Sequence, residues 1–199
     1  MPTIAMIREQ SLGERRVALT PETCKKLIAK NMQDIIEAGA GLSAGFSDED
    51  YIGAQVASSS TEVLAQADVL LCVQAPELIS LEHLKKNAIV IGSLAPHRNE
   101  NLMPMYFSRA HSAFALEKLP RTTRAQAMDV LSSQAGMAGY KAVLIAAQLA
   151  PRFFPMLTTA AGTIRPSKVL IIGAGVAGLQ AIATAKRLGA QAEGFVVRP

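Results

Sequence analysis

The chain has no tryptophan, only three histidines and two cysteines in 199 residues, and aromatic side chains make up 5 % of it. Each shortage excludes something. Scarce aromatics weigh against a platform that stacks nucleic-acid bases. Lysine and arginine number 20, but they are dispersed, and a net charge of +4 without a basic run describes a solvated surface better than a nucleic-acid or membrane patch. Cys24 falls in a helical pattern and Cys72 inside an apolar strand, so neither a disulfide framework nor metal-ligand spacing is present. His83, His97 and His111 occupy a helix, a turn and a strand approach, as surface residues do, and no metal site is expected. The longest apolar run, 142–150, contains Gln148 and is half of the ~18 residues that a membrane span needs. The N-terminus is strand-like and carries Arg8 and Glu9, which is not the form of a signal peptide. A soluble cytoplasmic protein of the reducing compartment is expected.

What is present is alternation. Strand patterns at 3–7, 33–37, 68–73, 88–93 and 112–116 are separated by helical ones at 79–86 and 99–109 and by two capped starts. Thr20 with Pro21 marks one helix start, and Ser59 with Glu62 another. Ser47 caps a short 48–50 helix. Strands alternating with helices imply a parallel sheet covered on both faces, so the fold class is α/β with a doubly wound N-terminal domain over residues 1–124. Residues 125–149 then read as one long helix stopped by Pro151, giving a connecting segment 125–166. Residues 167–199 open a Rossmann domain with its first β-α-β.

That opening is the most specific feature of the chain. Lys168-Val-Leu-Ile-Ile172 runs into Gly173-Ala174-Gly175-Val176-Ala177-Gly178, a buried-strand pattern followed by G-x-G-x-x-G and a helix. Gly173 makes the tight turn, Gly175 lets a pyrophosphate approach the backbone, and Gly178 lets helix and strand pack closely. Free N–H groups of the helix start then face the phosphates, with Val176 and Ala177 in the first turn. The fingerprint is incomplete at its far end. An acidic residue is expected near the end of the second strand for the ribose, yet Val196 stands there and Glu193 comes too early.

A second polar stretch, Arg121-Thr-Thr-Arg124-Ala-Gln126-Ala-Met-Asp129-Val-Leu-Ser132-Ser133, follows a strand end, where open α/β sheets place their ligands. Gln126, Asp129 and Ser133 are spaced to share a helix face and could hold a neutral carboxamide. An ordinary polar helix start capped by Thr122 or Thr123 is the competing reading. Glu14-Arg15-Arg16 offers either an anion contact or a surface ion pair.

Taken together, Arg16-Val-Ala-Leu-Thr-Pro21, Gly39-Ala-Gly41, Pro120-Arg121-x-x-Arg124-Ala-Gln126-x-x-Asp129-Val-Leu-Ser132-Ser-Gln134, Ala138-Gly-Tyr-Lys-Ala-Val143 and the glycine fingerprint resemble the NAD(H)-binding component of proton-translocating NAD(P) transhydrogenase, its alpha subunit. The Arg-Gln-Asp loop is the specific segment, because alanine dehydrogenases share the architecture without it. The resemblance implies hydride transfer from NADH to NADP⁺ held on a partner subunit, coupled to proton movement through a membrane component. It implies that Arg121, Asp129 and Ser132 orient the nicotinamide and that Gln126 reaches toward the NADP(H)-binding partner. It also implies a homodimer at the cytoplasmic face of the inner membrane, held there by partners. Gly136 stands where the family usually has Asn, and the stop at Pro199 leads us to expect a truncated or split subunit that binds NADH weakly by itself. The alternatives are a non-catalytic fragment of that subunit or an alanine dehydrogenase-like amino-acid dehydrogenase. The last is weakened by Gln74 in place of a substrate-binding Lys and by a Ser93-Leu-Ala-Pro96 stretch that lacks the His.

Overall fold

The computed structural model describes residues 1–120 and 122–197. The chain forms two compact units, residues 1–128 and 129–199.

The first unit is built on β1 (Thr3–Met6), β2 (Gln33–Glu37), β3 (Gln55–Ala57), β4 (Val69–Gln74), β5 (Ile89–Ser93) and β6 (Ser112–Ala115). All pair in parallel in the order β3-β2-β1-β4-β5-β6. This is the doubly wound sheet expected. Its strands read as nearly unbroken apolar runs because both faces are covered. Ala5, Ile7, Ile35, Leu70 and Val90 pack into one layer, while Met6 and Ile36 point to the other with Leu19, Cys24 and Tyr51. Helices α1 (Pro21–Ile28), α2 (Ser60–Gln66), α3 (Leu78–His83) and α4 (Met103–Ser108) supply the covers. Thr20 Oγ1 accepts from the Thr23 amide at 3.3 Å with Pro21 behind it, so α1 starts where its cap predicts. The expected 99–109 helix is instead a 3₁₀ turn, Glu100–Leu102, followed by α4, since Pro104 has no N–H to continue an α pattern through that point. The three-residue β3 was not anticipated.

The second unit contains α5 (Val130–Leu149), the hairpin β7 (Leu157–Thr159) and β8 (Gly162–Ile164), then β9 (Lys168–Ile172), α6 (Val176–Arg187) and β10 (Gln191–Phe195). β9 and β10 pair in parallel from Lys168↔Gln191 to Ile172↔Phe195, which is the β-α-β unit read from the glycines. α5 and α6 pack on each other around Val143, Ala181 and Ala185, with Phe154 and Ala190 closing the core. Gly139 is needed there, because a Cβ on it would run into the Ala177 carbonyl. The opposite face of the strand pair is bare: Leu170, Ile172 and Phe195 are exposed.

The expectation of one helix over 125–149 is corrected. Thr123–Met128 is a 3₁₀ turn, and Asp129, at φ −76° and ψ 84°, breaks the path and caps α5 with its side chain.

Candidate functional site

The glycine loop follows directly from its sequence. Gly173, at φ +95°, turns the chain out of β9 and donates its amide to Phe195 O at 2.8 Å. Gly178 lies on the Gly173 carbonyl so closely that any Cβ would overlap it. Gly175 is different: nothing stands within 4 Å of the space a Cβ would take. It forms the N-cap of α6 without a side-chain cap, so the amides around Val176 and Ala177 are left to an incoming acceptor. The helix dipole favours a negative group at that point.

At the start of α5 the Asp129 carboxylate accepts from the Ser132 amide at 3.0 Å and from Ser132 Oγ at 2.6 Å. Ser132 Oγ thereby spends its proton on Asp129 and keeps lone pairs for an outside donor. Ser133, expected on the shared face, instead donates its hydroxyl to Asp129 O at 3.2 Å. Gln126 belongs to the first unit, exposed in the 3₁₀ turn, so the single helix face expected for Gln126, Asp129 and Ser133 does not exist. Neither Thr122 nor Thr123 is the cap. Arg121 lies outside the described residues, and so does Arg198. Within the second unit, α5 carries Asp129 and Ser132 at one end and, about 15 Å along its axis at 1.5 Å per residue, packs Gly139 on the first turn of α6. Asp129→Ala is expected to cost about 1 kcal/mol of stability through loss of the cap, measured by urea unfolding, and Asp129→Asn much less.

The crevice of the first unit lies where β1 and β4 diverge at their C-terminal ends. There Glu9 accepts the amides of Val73 at 2.5 Å and Gln74 at 3.1 Å. Burial raises its carboxyl above the usual range, against the pull of those two N–H groups. Glu14 accepts from Gln74 Nε2 at 2.9 Å and from Arg16 at 2.6 Å, and the guanidinium lowers its pKa to about 2. Of the two readings left open for Glu14-Arg15-Arg16, the ion pair is the one formed. Sequence reasoning missed the role of Glu9, since it depends on β1 and β4 being neighbours.

Comparison with known proteins adds lineage to this geometry. The alanine dehydrogenase/PNT N-terminal domain model matches residues 5–138, and the C-terminal domain model of the same name matches residues 142–199. The chain belongs to the alanine dehydrogenase/PNT family. Among relatives in the family, the first of the separate chains of NAD(P) transhydrogenase subunit alpha in Rickettsia prowazekii (strain Madrid E) is 43 % identical over 98 % of this chain and 52 % of its own length. The corresponding chain of Rhodospirillum rubrum is 44 % identical over 94 % of this chain and 50 % of its own. A crystal structure of transhydrogenase from Sinorhizobium meliloti superposes with a TM-score of 0.94 at 43 % identity, covering 99 % of this chain and 59 % of that one. An L-alanine dehydrogenase structure gives 0.86 at 27 % identity, covering 98 % and 55 %. The chain therefore spans about half the length of the curated relatives it matches. Within the alanine dehydrogenase/PNT family it is similar to the transhydrogenase alpha subunit, as the Arg-Gln-Asp loop implied. Among the described residues no helix is long and apolar enough to cross a membrane.

Proposed function

We propose that this chain supplies the NAD(H) side of a proton-translocating NAD(P) transhydrogenase. The observation that carries the reading is the glycine loop, locked at Gly178 and open at Gly175, on the same helix pair as the Asp129–Ser132 hydrogen bonds. The loop amides and the α6 dipole hold the pyrophosphate. Ser132 Oγ, oriented by Asp129, accepts from the nicotinamide carboxamide, Arg121 steadies the ring, and Gln126 faces the partner that carries NADP(H). The nicotinamide supplies the chemistry: a hydride leaves NADH and reduces NADP⁺, giving NAD⁺ and NADPH. No protein base is required, since donor and acceptor need only be brought to reacting distance. Partner subunits couple the transfer to proton movement and hold a dimer of this subunit at the cytoplasmic face of the membrane.

Two observations favour weak affinity in the isolated chain. The second sheet has two strands among the described residues, with Leu170, Ile172 and Phe195 uncovered, and Val196 occupies the ribose position. The alanine dehydrogenase reading loses support from the first unit, where Arg16 and Gln74 are both bound to Glu14 and are not free for a substrate carboxylate.

With the membrane and NADP(H)-binding subunits of a transhydrogenase added, deuterium from [4-²H]NADH is expected in NADPH. Ser132→Ala should lower that rate by about tenfold or more. Deuterium in alanine formed from pyruvate and ammonia, with none in NADPH, would establish the dehydrogenase reading in its place.

A further inference from the structure

The charge of the chain is not shared evenly. Residues 129–199 contain seven Lys and Arg against two Asp and Glu, a formal +5, whereas residues 1–128 contain 13 against 14. Three of the seven cations, Arg152, Arg165 and Lys168, line one cavity of about 720 Å³. No carboxylate lines it. Asp129 is engaged at the α5 cap, and Glu193 lies two residues along β10 from Gln191, the residue at the cavity wall. None of the three cations forms an ion pair among the described residues.

The cavity opens at the N-terminal ends of β9 and β10, because Lys168 and Gln191 begin those strands. The glycine loop leaves β9 at the other end, about 16 Å away at roughly 3.3 Å per residue. These are separate places. Ser167 Oγ is spent on Phe153 O at 2.6 Å and the Ser167 amide on Phe154 O at 3.0 Å, so the cations and Gln191 are left to meet a ligand. An adjoining recess of about 640 Å³ shares Arg152 and the buried Phe154 and is otherwise lined by apolar residues including Ala147, Ile164 and Leu188.

Like charges gathered in one cavity repel each other and focus a positive potential that a polyanion relieves. Arginine forks match phosphate oxygens in pairs. A volume of this size on an apolar wall suits a small molecule more than a bare ion. We propose that this cavity is a second ligand site, independent of the glycine loop, for a small organic polyphosphate. Its phosphates meet Arg152, Arg165 and Lys168, and its organic body lies against Phe154 and the apolar recess.

Calorimetric titration of the whole chain with ATP, and separately with inorganic tripolyphosphate, tests this. ATP is expected to bind saturably, more tightly than tripolyphosphate, with affinity that falls as salt is raised. Arg165→Glu and Lys168→Glu, both exposed positions, should each weaken ATP at least tenfold while leaving the circular dichroism spectrum unchanged. Gly175→Ala should leave ATP binding intact. Absence of saturable binding, tripolyphosphate binding as tight as ATP, indifference to both charge reversals, or loss of binding in Gly175→Ala would each overturn the proposal.

Discussion

Replacing Asp34 with valine is expected to stabilise the first unit by about 1–4 kcal/mol, the range seen when buried charge gives way to packed apolar groups. Asp34 shares the parity of Ile36 on β2 and so points into the apolar layer of Met6, Leu19, Cys24 and Tyr51. Its exposure is 1 %, and neither carboxylate oxygen has a hydrogen-bond partner. The Cys24 thiol lies beside it, outside hydrogen-bond geometry, and burial next to that carboxylate pushes the thiol up to about 12. An unpaired carboxylate in such a place is costly when charged, and burial raises its pKa. The sign of the pH effect follows. The folded state binds this proton more tightly than the unfolded chain, so the contribution to stability is intact below the ordinary Asp value near about 4. It declines as pH rises from there toward the raised folded-state pKa. Urea unfolding at several pH values checks both claims. The wild-type minus Asp34→Val difference should widen with pH, and a variant less stable than wild type at pH 8 would refute the argument. Asp34→Asn should recover part of the gain, because the amide remains unpaired but cannot ionise.

The second large effect separates two glycines of one motif. Gly178→Val is expected to destabilise the second unit by about 1–3 kcal/mol or more, since its side chain must displace the Gly173 carbonyl from the turn into α6. Gly175→Ala should unfold at the same urea concentration as wild type, because its φ of −77° suits alanine and the space is open. It should nevertheless weaken NADH at least tenfold by placing a methyl group where the pyrophosphate approaches. Melting curves and NADH titration of both variants make the comparison. Equal loss of stability in the two would show that the loop is a packed turn and no more.

Much of this was legible in the residues. β1, β4 and β5 are apolar on both faces and can be nothing but central strands, Thr20-Pro21 fixes the start of α1, and the glycine spacing fixes β9 and α6. Short elements were not legible: the Gln55–Ala57 strand and the 157–164 hairpin hold three residues per strand, too few for a period to show. The start of α5 was misplaced because Thr122, Thr123 and Asp129 are all capable caps, and only the backbone at Asp129 decides among them. Asp34 looked like an ordinary strand-edge residue in Gln-Asp-Ile-Ile-Glu. Its burial comes from α1 folding over β2, a contact that local sequence does not encode. The Glu9 and Glu14 network likewise depends on β4 lying beside β1 across more than 60 residues. Of the candidate site, the loop and the Asp129–Ser132 pair were visible as motifs, while the split of Gln126 and Asp129 between two compact units was not.

The central claim is that the Gly173–Gly178 loop and the Asp129–Ser132 pair take the two ends of one dinucleotide. Titration of ¹⁵N-labelled chain with NADH, followed by amide shifts in the NMR spectrum, tests it most directly and tolerates weak binding. Saturable shifts in the millimolar range are predicted at Gly173, Gly175, Val176 and Ala177 and at Ser132, all abolished by Gly175→Ala. Millimolar NADH that leaves those amides unmoved, or moves them equally in Gly175→Ala, would contradict it.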